Sequence, residues 1–339
     1  MEQPWIHKSK TDGIFILFPT FLVLGLVFLC HDCLQQIEVK YSFVTWLVLI
    51  VFVDVAHVYA TLFKTYFVKE EFQKRKSLYL GLPILCFVIG VVLFLLGSTI
   101  FWSVLAYIAV FHFIRQQFGF MRLYSRNELK TKFSNFFDKV VIYTVTVYPM
   151  LFWFFSPKRN FNWFMENEFF TFENQVIVQI LTVIYVIVVI VYIIRTLYVS
   201  VQNKFFNFPK NAVIVGTALS WYFGIVYYNN DLIFTLLNVV SHGIPYMALI
   251  YLTQVEQKST GIIKSIWLLK YYKGIFVFIG ILVLIAFTEE YLWEILVWND
   301  HFSFQNFDFS NWAFLLVPLL SVPQFTHYIL DGIIWKTKK

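Results

Sequence analysis

Charge is what this chain has least of. Only 14% of its 339 residues are Asp, Glu, Lys or Arg, against roughly a quarter in an ordinary soluble domain. A soluble globular fold is thereby excluded. Cysteine is scarce too: three residues, too few for a disulfide framework. Two of them form Cys30-His31-Asp32-Cys33 at the edge of an apolar run. That spacing suits a disulfide or redox pair at a membrane face. However, a thioredoxin context is missing, and no histidine follows the second cysteine as covalent haem attachment requires. Cys86 stands alone within an apolar run and reads as core. The alternating segments of an outer-membrane barrel are missing. So is a small-residue cleavage site after the first apolar run, and no cleavable signal peptide is expected.

What remains is 59% hydrophobic and 21% aromatic, arranged in long apolar runs. Runs of about 20 residues are the length at which a helix crosses a bilayer. Ten are expected, over 13–30, 42–63, 78–96, 99–121, 137–156, 175–198, 211–228, 232–254, 274–292 and 312–335. The fold class is therefore all-α: a polytopic integral membrane protein with about ten transmembrane helices in a single domain. Gly97-Ser98 and Asn229-Asn230-Asp231 leave room only for tight hairpins between antiparallel helices.

The net charge of +6 is no nucleic-acid signature, because the basic residues flank the ends of the apolar runs. Placing the N-terminus in the cytoplasm puts 22 Lys and Arg on the inner side and three (Lys40, Lys158 and Arg159) on the outer. Such an excess marks cytoplasmic loops. A single miscounted span would destroy the bias, so both termini are expected in the cytoplasm, with the chain in a plasma or bacterial inner membrane. The loops assigned to the outside, Phe161 to Phe172 and Tyr291 to Trp312, are aromatic and acidic. They read as an interfacial belt or short surface helices.

Four of the seven histidines fall inside apolar runs: His57, His112, His242 and His327. All four runs share one direction, from outside to inside, and the histidines sit at comparable depth. Intramembrane ionisable groups are costly without partners and mark functional sites. Each has polar company three or four residues away, on its own helical face: Asp54 for His57; Arg115 and Gln116 for His112; Asn238 for His242; Gln324 and Asp331 for His327. Imidazoles backed by carboxylates or amides are what a metal site needs. His57, His112, His242 and His327 are the expected ligands, with Asp54 and Asp331 either ligating or orienting. Arg115, Gln116 and Asn238 are candidates for contact with substrate, Arg115 also as a stabiliser of a developing anion or a counter-ion to Asp54 or Asp331. One intramembrane histidine alone would read as a packing residue; four at one depth read as a shared site.

At motif level the chain resembles the Brp/Blh family of membrane carotenoid 15,15'-dioxygenases. The similar stretches are Asp54-Val55-Ala56-His57, Phe111-His112-Phe113, Ser241-His242-Gly243, and Val322-Pro323-Gln324 through His327 to Asp331. In that family the first motif has its aspartate after the histidine, whereas here Asp54 precedes His57. The clustered histidine boxes of membrane desaturases are absent. The resemblance implies non-haem iron held by histidines from four helices. A His-rich set with carboxylates suits iron, and also zinc or copper. The expected partners are the lipid bilayer and an apolar small-molecule substrate, lipid or isoprenoid-like, attacked by oxygenase chemistry. Two alternatives stand beside it: a proton-coupled transporter or channel using a His/Asp relay, with Glu289 and Glu290 near its outer end, and a haem-binding electron carrier.

Overall fold

A computed structural model describes residues 2–40, 42–128, 131–255, 274–298 and 309–335. Lys130, Asp300, Asp308, the lysines at 258, 264, 270 and 273, and the C-terminal lysines lie outside these stretches. The described chain is mostly helical, with no strand among the described residues. The protein is an all-α polytopic membrane protein.

Among the described residues, eight helices are long and apolar enough to cross a membrane: α1 (Ser9–Leu34), α2 (Ser42–Phe63), α3 (Lys76–Leu96), α4 (Ser98–Tyr124), α6 (Gln175–Asn203), α8 (Asp231–Val255), α9 (Gly274–Trp298) and α10 (Ser310–Ile334). The other two expected spans are also helices, but less apolar. They are α5 (Lys132–Phe155) and α7, Phe208–Trp221 continued by Tyr222–Tyr227.

Local chemistry explains most of the boundaries. α1 starts at Ser9, earlier than expected, because Asp12 is buried and satisfied. Its carboxylate accepts from the backbone N–H of Ile6 and His7 and from the Tyr124 hydroxyl. Asn174, Asn207 and Asn230 cap α6, α7 and α8 by accepting from a backbone N–H three residues on, each satisfying one of the donors a helix start leaves unpaired. Gly97 turns the α3–α4 hairpin with φ of 148°, a region closed to side chains with a Cβ.

The chain forms two compact units. One comprises Met1–Glu38 and Phe113–Pro245, hence α1, the later part of α4, α5 to α7 and the first part of α8. Within it α5 packs against α6 and α7. Lys210 of α7 is buried between Glu128 and Asp138, at 2.9 and 3.3 Å. The stretch between α5 and α6 is not helical. Phe161 and Phe169 are instead buried against Trp153, and Glu168 accepts from the backbone N–H of Trp163, Phe164 and Met165. The surface-helix reading of that loop is thereby replaced by a folded plug held by one carboxylate.

The second unit comprises Val39–His112 and Tyr246–Lys339. Within it α9 packs along α2, and α10 lies against α3. Gly90 of α3 permits the second contact: a Cβ there would meet the Pro318 Cβ at 3.0 Å. α10 breaks at Ser321 into Ala313–Leu320 and Val322–Ile334. Pro323 then sits in the first turn of the second half, where a missing N–H costs nothing.

Candidate metal centre

The second unit brings together three of the expected histidines. α2 carries Asp54, His57 and Thr61 on one face, at spacings of three and four. The backbone just before His57, Trp46–Val55, is wound in wide i→i+5 turns, a geometry that recurs at functional positions. α4 supplies His112. The second half of α10 supplies His327, Asp331 and Trp335 at successive spacings of four. All three histidines are at most 2% exposed.

Their rings converge. The His112 and His327 centroids are 4.6 Å apart, and those of His57 and His327 5.0 Å. The Nε2 atoms of His112 and His327 are 3.2 Å apart. Two imidazoles on one tetrahedral ion with bonds near 2.05 Å would have nitrogens about 3.3 Å apart, so this spacing fits a shared metal.

Behind the rings stand oxygen partners. Asp54 Oδ1 lies 3.6 Å from His57 Nδ1, and Asp331 Oδ2 lies 3.6 Å from His112 Nδ1. His327 Nδ1 meets the Thr61 hydroxyl at 2.6 Å. Thr61 in turn meets the Tyr246 hydroxyl at 3.0 Å. Trp335 donates its indole N–H to the other oxygen of Asp331 at 2.7 Å. The Lys64 ammonium lies 3.9 Å from the centre of the Trp335 ring.

His242 is buried within the first unit. Its ring stacks flat on Phe113, with centroids 3.5 Å apart, and its carbonyl accepts from Gln116 Nε2 at 2.9 Å. Here too wide turns, Leu236–Val240, come just before the histidine. The buried histidines His57, His112, His242 and His327 could hold a metal ion. Neither Asp54 nor Asp331 belongs to that group.

The other candidates take positions of their own. Gln116 braces the turn that carries His242. Asn238 donates to the Phe234 carbonyl at 2.8 Å and packs against Gly224. Arg115 donates to the Tyr143 hydroxyl at 2.9 Å and lies over the Phe118 ring.

Sequence reasoning missed Thr61, Tyr246 and Trp335. Each was within reach of a wider rule, since Thr61 follows His57, Tyr246 follows His242 and Trp335 follows Asp331 by four residues. For Glu289 and Glu290, near the outer end of the ninth span, the sequence left open a part in a transport relay or a place at the outer interface. They are 5% and 8% exposed, and Tyr59 donates to Glu289 at 2.5 Å. Cys30 and Cys33 are free, exposed thiols, and Cys86 is a free, buried one. No family model matches the sequence, and neither a curated protein nor a solved structure does.

Proposed function

We propose that the protein is a membrane-embedded metalloenzyme whose ion is held directly by His57, His112, His242 and His327. The observation that carries this reading is the convergence of four buried imidazoles, each from a different helix. Buried imidazoles gathered without carboxylates between them repel one another once protonated, and a metal cation relieves that frustration. The edge contact between the His112 and His327 rings favours direct ligation over haem, which would need a porphyrin plane between its axial nitrogens.

Non-haem iron is the ion we favour, on the donor set and the motif-level resemblance to the Brp/Blh dioxygenases. When bound, it would supply O₂ activation. The protein's own share is to hold the rings, to exclude water through burial, and to offer a site at a depth that a lipid or isoprenoid-like substrate reaches from the bilayer. Asp54 and Asp331 then orient His57 and His112 from behind, as the partners of metal-bound histidines generally do.

The test is metal analysis of the detergent-purified protein, with an absorption spectrum of the same sample. Near-stoichiometric iron without a Soret band is expected. Alanine at any of the four histidines should abolish it while membrane insertion persists. Full metal content in those variants refutes the ligand assignment.

A second reading draws on the buried carboxylates. Glu289, Glu290 and Glu294 of α9 are buried in the second unit, which also holds the half-buried Asp54 and Tyr59, and Tyr59 donates to Glu289. A proton-coupled transporter would use such a chain. It predicts proton-driven flux in liposomes and no bound metal.

A further inference from the structure

We infer that Thr61 and Tyr246 are positioning residues of the proposed metal centre, forming a hydroxyl chain that fixes His327 with Nε2 turned toward the ion. This inference rests on the metal reading above and adds two residues to it.

Thr61 differs from Thr65 and Thr253 of the same unit. Each of those donates back to the carbonyl four residues earlier, the usual fate of a threonine inside a helix. The Thr61 hydroxyl instead meets two side chains from other helices, His327 Nδ1 of α10 and the Tyr246 hydroxyl of α8. All three residues are at most 3% exposed.

The direction of donation follows from the ligand role. A neutral imidazole that offers its Nε2 lone pair to an ion carries its proton on Nδ1. His327 Nδ1–H then donates to Thr61 Oγ1, and Thr61 gives its own proton to the Tyr246 oxygen. Nε2 of His327 is left 3.2 Å from Nε2 of His112. Asp331 Oδ2 faces His112 Nδ1 and favours the same tautomer there. One ring is thus set by a carboxylate and the other by two hydroxyls.

The full-length protein in mild detergent is titrated with cobalt(II), whose ligand-field absorption reports the donor geometry. Four variants are compared: Thr61→Val, Thr61→Ser, Tyr246→Phe and, as control, Thr65→Val. Loss of an orienting partner typically weakens metal binding by about 10–100-fold. That loss, with a shifted cobalt spectrum, is expected for Thr61→Val and Tyr246→Phe. Thr61→Ser should restore wild-type affinity, and Thr65→Val should not change it. Wild-type affinity and spectrum in both Thr61→Val and Tyr246→Phe overturn the inference while leaving the metal site standing. If Thr61→Val fails to insert, Tyr246→Phe decides, since it cuts the same chain elsewhere. No cobalt bound by the wild type overturns the metal reading and the inference with it.

Discussion

Asp331 divides its carboxylate between two partners, with Oδ1 accepting from the Trp335 indole at 2.7 Å and Oδ2 facing His112 Nδ1 at 3.6 Å. The arrangement makes it an anchor for His112 and not a member of the converging set. Replacing it by Ala should weaken metal binding by about 10–100-fold without abolishing it, whereas His112→Ala should abolish it. Equal, complete loss in both variants would make Asp331 a ligand. Titration of the two proteins side by side separates these outcomes.

Lys210 is held between Glu128 and Asp138 with little solvent around it. Lys210→Ala leaves Glu128 without its cation and Asp138 with Arg195 alone, 3.6 Å away, a loss of about 3–5 kcal/mol in a buried network. A large fall in melting temperature in detergent is expected. Adding Glu128→Gln should return part of it, because that removes the carboxylate left without a cation. A Lys210→Ala protein with wild-type thermal stability would contradict this account.

Glu168 closes the plug between α5 and α6. Burial pushes its carboxyl above the ordinary glutamate value, and the three backbone N–H donors offset only part of that. A carboxyl raised on folding favours the protonated form. Its contribution is therefore full below the ordinary value and declines as pH rises through the raised one. Hydrogen exchange at Trp163 to Met165 should accelerate over that window beyond the ordinary base dependence. Glu168→Gln should remove the extra pH response, and Glu168→Ala should loosen the plug at every pH, at a cost of about 1–3 kcal/mol for the stranded donors.

Cys30 and Cys33 are exposed and Cys86 is buried, which offers a direct test of orientation. With the N-terminus in the cytoplasm, a membrane-impermeant maleimide should modify the first two from outside in intact cells. It should leave Cys86 untouched until the protein is denatured. Labelling only from the cytoplasmic side would invert the assigned topology.

The spans were legible because hydropathy over 20 residues integrates a strong signal, and the four histidines were legible because an imidazole in an apolar run has no cheap explanation. Hydroxyls carry no such flag. Thr61 and Tyr246 look in sequence like any threonine and tyrosine of a membrane helix, and only packing shows that Thr61 abandons its own backbone for His327. Glu289 and Glu290 stayed ambiguous for the opposite reason. Two acids near a span end suit an interface, and their burial depends on α2 packing along α9, which no local pattern encodes. The helix of the first span begins before residue 13 because Asp12 is a buried acceptor for the chain just before it, which hydropathy does not register.

The wide turns over Trp46–Val55 give α2 slack in its residue count. An i→i+5 turn spends more residues per revolution than the 3.6 of an α-helix. Deleting one residue between 46 and 50 can be absorbed by local rewinding, with Asp54, His57 and Thr61 left in place. The same deletion between Val322 and Gln324, in the α-wound half of α10, would swing His327, Asp331 and Trp335 about 100° round the helix axis relative to the preceding chain. Metal-binding assays on the two deletions should separate a ligand helix that tolerates a change of length from one that does not.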